Sequence, residues 1–238
     1  MALILNLDTS TQICSVALAL DGELLGLKES HEDKSHASLL AIFIKSILEE
    51  NAKTISDLDA IAVSKGPGSY TGLRIGVSTA KGMAYASGIP FISIDTLTAM
   101  TSGAIHSNHL ENEALSKDMP LRFCPMIDAR RMEVYTAIFD PYGVMIGPIN
   151  AKIIQEDSLK DILEQYYLIF FGNGADKCRD IIHHPNAIFL DGIETSARYM
   201  VSLAESAWQQ KCFEDLAYFE PFYLKDFVAT IPKNKVFK

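Results

Sequence analysis

The sequence contains little sulfur chemistry. Its four cysteines, Cys14, Cys124, Cys178 and Cys212, are scattered and form no CxxC pair. That spacing speaks against a zinc ribbon or a disulfide framework and fits reduced thiols in a cytoplasmic protein. Cations are also scarce: 21 Lys and Arg stand against 30 Asp and Glu, a formal net charge of −9. Affinity for nucleic acids comes largely from cations that neutralise phosphates, so any role with RNA calls for a partner that makes the contact. Apolar runs are short. The purest, Tyr166 to Phe171, is strand-sized, whereas a bilayer span takes about 20 residues. The opening Met1-Ala-Leu-Ile-Leu-Asn-Leu-Asp lacks a basic stretch and a cleavage site, so it is not read as a signal peptide. No GxSxG, HExxH, Walker A or GxGxxG pattern occurs, and no self-sufficient set of catalytic residues is visible.

What is present is an ordinary globular composition, 48% hydrophobic over 238 residues. That length allows one large domain or two small lobes. Leu3 to Leu7, Cys14 to Leu20 and Glu23 to Lys28 read as strands, joined by Asp8-Thr-Ser-Thr11 and by Asp21-Gly22. A helix follows from about His36 to Glu50 with Ser35 as its N-cap, then a strand from Ala60 to Ser64. The loop Lys65-Gly-Pro-Gly-Ser-Tyr leads to a helix from about Thr71 to Ser87, which Gly88 stops. Phe91 to Ile94 is a further strand, and Ser102 to Asp118 is a polar connection without a clear period.

The second half echoes the first. Cys124 to Ile127, Asp128-Ala-Arg-Arg and Val134 to Phe139 repeat the opening hairpin. Tyr167 to Phe171, Gly172-Asn-Gly174 and a helix from Ala175 to His183 repeat the later strand, Gly loop and helix. The shared order suggests duplication. A last helix from about Ser196 to Cys212 precedes Tyr218 to Leu224 and a basic tail.

Several motifs carry two readings. Asp8-Thr9-Ser10-Thr11 either presents a carboxylate and hydroxyls to a phosphate or metal, or bonds its own backbone as strand-end turns do; the second is the commoner case. The 65–72 loop reads as a tight strand-to-helix turn rather than an anion site. In the helix after it, Gly72, Gly76, Ala80 and Ala84 recur every four residues, a smooth face flanked by Leu73, Val77 and Met83. The helix at 36–50 carries Leu39, Leu40, Ile42, Phe43, Ile44, Ile47 and Leu48, more than one apolar stripe. Two apolar faces imply two packing partners, one the sheet beneath, the other a helix of this chain or another protein. His31 and His36 around Asp33, and His106 with His109, fall in polar connections and read as solvated rather than as metal ligands. His183-His184 reads as a helix C-terminal cap.

Three stretches, Ile4-Leu-Asn-Leu-Asp8-Thr-Ser-Thr11, Ser64-Lys-Gly-Pro-Gly-Ser-Tyr-Thr-Gly-Leu-Arg-Ile-Gly76 with Ala80-Lys-Gly-Met-Ala84, and Met126-Ile-Asp-Ala-Arg-Arg-Met-Glu-Val-Tyr135, together with Tyr223-Leu-Lys, are similar to the TsaB (YeaZ) family. Its members are bacterial tRNA threonylcarbamoyladenosine biosynthesis proteins. The resemblance runs across nearly the whole chain.

It implies an α/β, two-lobed duplicated fold of the sugar kinase, actin and heat-shock ATPase superfamily, with mixed sheets flanked by helices. Residues 1–105 would form the first lobe and 106–238 the second. It further implies a non-catalytic cytoplasmic subunit that pairs with a paralogous transferase, TsaD, in a complex joined by the ATPase TsaE. The chain would form a homodimer when alone and meet tRNA only indirectly. The interface carried over is Leu39, Leu40, Phe43, Ile47, Gly72, Leu73, Gly76, Val77, Ala80, Met83 and Ala84, so Gly76→Leu should split the heterodimer without unfolding the chain. Asp8, Thr9, Ser10, Gly172 and Gly174 outline a vestigial nucleotide cleft. The paralogue's HxxxH metal site corresponds to Thr96 and Met100 in Gly88-Ile-Pro-Phe-Ile-Ser-Ile-Asp95-Thr96-Leu-Thr-Ala-Met100. Neither is a good hard-metal ligand, so no metal is expected. No resident cofactor is expected either, with ATP or ADP bound weakly or only with partners present. The competing reading is a kinase-like phosphotransferase of the same superfold, using Asp8 and the 172–174 loop around magnesium-ATP.

Overall fold

The computed structural model describes residues 1–32, 36–107 and 119–225. Its first sheet follows from the most apolar run of the N-terminus. β1 (Leu3–Asp8) is buried along its whole length, as a central strand covered on both faces must be. It pairs antiparallel with β2 (Cys14–Leu20), which pairs with the edge strand β3 (Glu23–Ser30). On its other side β1 runs parallel to β4 (Ala60–Gly66), and β4 to β5 (Phe91–Asp95), giving the order β3-β2-β1-β4-β5.

Alternation along β1 separates two cores. Leu3, Leu5 and Leu7 face α1 (His36–Glu50) and α2 (Tyr70–Ser87), meeting Leu40, Ile44, Ile47, Val77 and Ala80. Ala2 and Ile4 face the opposite way, against Ala99, Met200 and Ala204. Helix α2 begins with Ser69 accepting from the Gly72 N–H at 3.3 Å and ends at Gly88, whose φ of 65° is the left-handed cap that glycine adopts without strain. Ser35, the expected cap of α1, lies outside the described residues.

The second sheet repeats the first. β6 (Leu121–Asp128) pairs antiparallel with β7 (Glu133–Thr136) and parallel with β9 (Tyr167–Phe171). Edge strands β8 (Asn150–Ile153) and β10 (Ala187–Phe189) complete it. Read as β8-β7-β6-β9-β10, it has the order and strand directions of the first sheet. This is the duplicated two-lobed architecture of the sugar kinase and actin superfamily.

The halves diverge in their helices. The helix expected from Ala175 to His183 is the single turn α5 (Asp176–Arg179), following the equally short α4 (Lys160–Leu163). Beyond α5 come two β-branched residues, Ile181 and Ile182, then His183-His184-Pro185; both features disfavour continued helix. His183 and His184 therefore do not cap a helix end. The last helix opens as a 3₁₀ turn, Ala197–Met200, started by Ser196 and continued as α6 (Val201–Gln209).

A helix that no stripe announced, α3 (Thr96–Ile105), lies between the lobes. Asp95 caps it, its Oδ1 accepting from the Thr98 N–H at 3.0 Å. Ala99 packs into the first lobe, while Leu97, Met100 and Ala104 pack into the second.

One expected boundary needs correction. Residues 196–225 return to the first sheet instead of staying with the second lobe. Ala197, Met200 and Ala204 fill a face that Ala17, Ala60 and Ala62 leave shallow. Farther on, Phe219 meets Phe91 of β5 edge-on, with ring centroids 5.0 Å apart.

Candidate functional site

The turn after β1 is where this superfold would present a carboxylate to a ligand. Asp8 is buried, 1% exposed. Its Oδ1 accepts from the Ser10 N–H at 2.8 Å and from the Ser10 hydroxyl at 2.6 Å, while the buried Oδ2 has no hydrogen-bond partner among the described residues. Burial pushes its pKa up to about 6, with a lesser contribution from the nearby Glu29 carboxylate, against the pull of the Ser10 bonds.

The turn is sealed from above by the chain itself. Ser69 donates its N–H to the Ser10 carbonyl at 2.6 Å, and the Thr9 hydroxyl donates to the Gly72 carbonyl at 2.8 Å. A Cβ at Gly68 would strike the Ser10 carbonyl, one at Gly72 the Thr9 carbonyl, and one at Gly76 the Thr9 hydroxyl. The glycines of this stretch let helix α2 sit on the β1 turn. Two amides that open the helix, those of Ser69 and Gly72, are spent on internal acceptors, the Ser10 carbonyl and the Ser69 hydroxyl.

The opposite lobe is packed in the same manner. Gly172, at φ 96°, backs onto the Met126 carbonyl and the Met100 side chain, and Gly174 onto the backbone of Ile127 and Asp128. Asn173 Oδ1 accepts from the Asp128 N–H at 2.9 Å. Between the lobes remains a cleft of about 180 Å³, lined by Thr11, His31, Met100, Asn173, Glu194 and Thr195 among others. Typical small-molecule sites hold about 300–1,000 Å³. Among the described residues none of Asp8, Thr9, Ser10 and Gly174 lines this cleft, Gly172 lines an adjoining hollow of about 110 Å³ that shares Asn173 and Glu194 with it, and no lysine or arginine lines either. The lobes touch across it: the Thr11 and Thr195 hydroxyls lie 2.5 Å apart, and His31 Nδ1 lies 3.5 Å from Glu194 Oε2. The described lining therefore offers no cation to nucleotide phosphates.

Positions that could have carried other chemistry are occupied structurally. Thr96 Oγ1 lies 2.7 Å from the Ser64 hydroxyl, and Met100 is buried in the second-lobe core. Among the described residues no group of three or more His, Cys, Asp and Glu could hold a metal ion. His36 is buried with Nε2 3.3 Å from the Ile13 carbonyl, so it is not the solvated loop residue expected, and His106 Nδ1 meets the Ser102 carbonyl at 2.7 Å. Asp33 and His109 lie outside the described residues. Burial pushes the thiols of Cys14 and Cys178 up to about 11 and that of Cys124 to about 12, leaving them neutral and unreactive.

The second candidate region is the outer surface of α1 and α2. Here the sequence reading needs its main correction. Leu40, Ile47, Gly72, Leu73, Gly76, Val77, Ala80 and Ala84 are buried within the chain. The small-residue face admits β1 and β4 of the same molecule, so it is closed to any partner, and Gly76→Leu would disturb the fold itself. Leu39, Phe43 and Met83 are half-buried at the margin of the first core. Ile42 on α1 is 58% exposed and Tyr85 on α2 is 81% exposed. The second apolar stripe of α1 is thus real, but it is narrower and differently placed than the full set of residues suggested.

Sequence reasoning also missed the chain after α6. Tyr223 lies tilted against Tyr70, ring centroids 4.8 Å apart, and Lys81 donates to the Phe219 carbonyl at 2.8 Å. The aromatic spacing Tyr218, Phe219, Phe222, Tyr223 was the available signal.

With this geometry in hand, comparisons with known proteins place the chain. The family model described as TsaD: tRNA N6-adenosine threonylcarbamoyltransferase matches residues 28–233. A protein from Escherichia coli (strain K12) named "tRNA threonylcarbamoyladenosine biosynthesis protein TsaB" is 28% identical over 235 residues, covering 95% of this chain and 96% of that protein. A protein of the same name from Haemophilus influenzae is 29% identical, covering 95% and 94%. A solved structure described as YeaZ from Pseudomonas aeruginosa superposes with a TM-score of 0.77 at 27% identity, covering 94% of this chain and all of that one.

Proposed function

The chain belongs to the TsaD: tRNA N6-adenosine threonylcarbamoyltransferase family, and from that premise we propose that it serves threonylcarbamoylation of tRNA adenosine as a non-catalytic subunit. It acts by pairing with a paralogous TsaD transferase, in a complex that the ATPase TsaE joins, and it forms a homodimer when that partner is absent. It works in the cytoplasm, and the contact with tRNA falls to the partner, consistent with a net charge of −9. The docking surface is the outward edge of α1 and α2, Leu39, Phe43 and Met83 with Ile42 and Tyr85, rather than the buried small-residue face. Buried aromatic and aliphatic anchors of this kind carry most of the binding energy of an interface.

The observation that carries the reading is the sealed β1 turn. In an ATP-using member of this superfold the turn must face the phosphates, whereas here Thr9 and Ser10 are bonded to the start of α2. The isolated chain is therefore expected to give no heat of micromolar binding with magnesium-ATP in a calorimeter, and no turnover. In light scattering, a mixture with the paralogue should give the mass of a one-to-one pair, and Ile42→Glu with Tyr85→Glu should leave two separate masses. Tight ATP binding with transfer of the γ-phosphoryl group to an acceptor by the chain alone would favour a phosphotransferase.

A further inference from the structure

The segment that follows α6 packs Leu216 and Phe219 against the first core and then runs on beyond it. It leaves the face of the first sheet that carries α6, and rounds the edge strand β5. There Glu214 donates its N–H to the Phe91 carbonyl at 2.8 Å and accepts from the Ser93 hydroxyl at 2.5 Å. It then crosses to the other face, where Phe219 packs on Phe91 and Lys81 of α2 holds the Phe219 carbonyl. It climbs along the start of α2: the Phe222 N–H donates to the Lys65 carbonyl at 2.8 Å, and Tyr223 lies tilted against Tyr70. At Lys225 it reaches the second lobe, where the ammonium pairs with Glu133 and stands 5.7 Å from the centre of the Tyr135 ring. The seat is built for it. Gly66, at the end of β4, has a φ of 113°, and a Cβ there would sit 2.8 Å from the Phe222 carbonyl oxygen.

We propose that residues 213–225 are a strap that fixes the angle between the lobes by tying the start of α2 to the β7 end of the second sheet. A strap that only shielded the β5 edge from strand pairing could stop at Phe219. This one continues across the Lys65 carbonyl and ends on a charged partner in the other lobe. Among the described residues the lobes are also joined at α3, at the Thr11–Thr195 and His31–Glu194 contacts, and where the chain crosses back between Ile193 and Ala197. Displacing Tyr223 from Tyr70 draws Lys225 away from Glu133 and removes the strap's share of the restraint on a turn of the second lobe about α3. The strap itself needs no partner protein. Its consequence for one, that docking on α2 reaches the cleft through Tyr223 and Lys225, rests on the reading above.

The test is an interlobe distance measured on the full chain alone. Spin labels are placed at Ser78→Cys on α2 and Asp161→Cys on α4, both exposed positions, with Cys212→Ser to remove the exposed native thiol. Pulsed electron resonance then reads the distance distribution. Lys225→Ala with Tyr223→Ala should at least double its width. Glu133→Lys alone should widen it as well, and adding Lys225→Glu should narrow it back toward the parent. Lys225→Ala alone removes a surface side chain and leaves both cores intact, so a folded variant is at hand, and it too should widen the distribution. A distribution as narrow as the parent's in the strap variants, or a reversed pair no narrower than Glu133→Lys, overturns the proposal and leaves the segment as an edge cover.

Discussion

Two glycines of α2, Gly76 and Gly82, are expected to answer an added methyl group in opposite ways. Gly82 has nothing within 4 Å of a would-be Cβ. Gly82→Ala should therefore stabilise the chain by about 0.5–1 kcal/mol, the helix propensity gained. Gly76 faces the Thr9 hydroxyl, itself fixed by its bond to the Gly72 carbonyl. Gly76→Ala gains the same propensity but loses about 1–3 kcal/mol to overpacking, so its melting temperature should fall while that of Gly82→Ala rises. Thermal unfolding followed by circular dichroism reads both signs. Asp8 offers a second residue-scale test. Its folded pKa of about 6 lies above the ordinary value of 3.8, so between those values the folded state holds the proton more tightly than the unfolded one. Stability from this group is then lost as pH rises through that window. Asp8→Asn keeps the acceptor for Ser10 and removes the buried charge. It should be more stable than the parent at pH 7 by on the order of 2–3 kcal/mol, and the gap should close below about pH 4. Unfolding curves at pH 3.5, 5 and 7.5 measure it; a gap independent of pH would contradict the assignment.

At the scale of elements, α3 is the piece on which both lobes depend. Its Gly103 lies against the face of the Tyr199 ring, with no room for a Cβ. Gly103→Val should therefore cost about 1–3 kcal/mol and lower the protection of amides in both β4 and β6, read by hydrogen exchange; a loss confined to one lobe would show that α3 is not shared. This helix was also the one least legible in the sequence. Thr96–Ile105 is apolar or small on every side because both lobes enclose it, and a helix buried all round shows no stripe. Where one face met solvent the pattern was readable: α1 runs from His36 to Glu50 and α2 ends at Ser87 before Gly88, as read. The five strands of the first sheet, and β6 and β9 of the second, were signalled by apolar runs between turn residues. The four-residue β8, with its mixed exposure, was not. The small-residue face of α2 was legible as a site of close approach, but sequence alone could not say whose backbone approaches. The chain's own β1 turn does.

At the scale of the whole molecule, the duplication left two similar sheets and unequal helices. The first lobe kept two long helices with an exposed apolar margin, while the second reduced its equivalents to single turns. The cleft between them holds about 180 Å³, with neither lysine nor arginine among its described lining residues. An enzyme of this superfold needs the cleft, whereas a subunit that lends a surface needs the helices. The most direct measurement is reconstitution of tRNA threonylcarbamoylation from the paralogous transferase, the ATPase, a threonylcarbamoyl donor and tRNA, with modified adenosine counted by mass spectrometry of the digested tRNA. The account predicts that modification collapses without this chain and is restored by the native chain and by Asp8→Asn. The Ile42→Glu, Tyr85→Glu form, though folded, should fail to restore it. Modification at full level without the chain, or its loss in Asp8→Asn with pairing intact, would contradict the account.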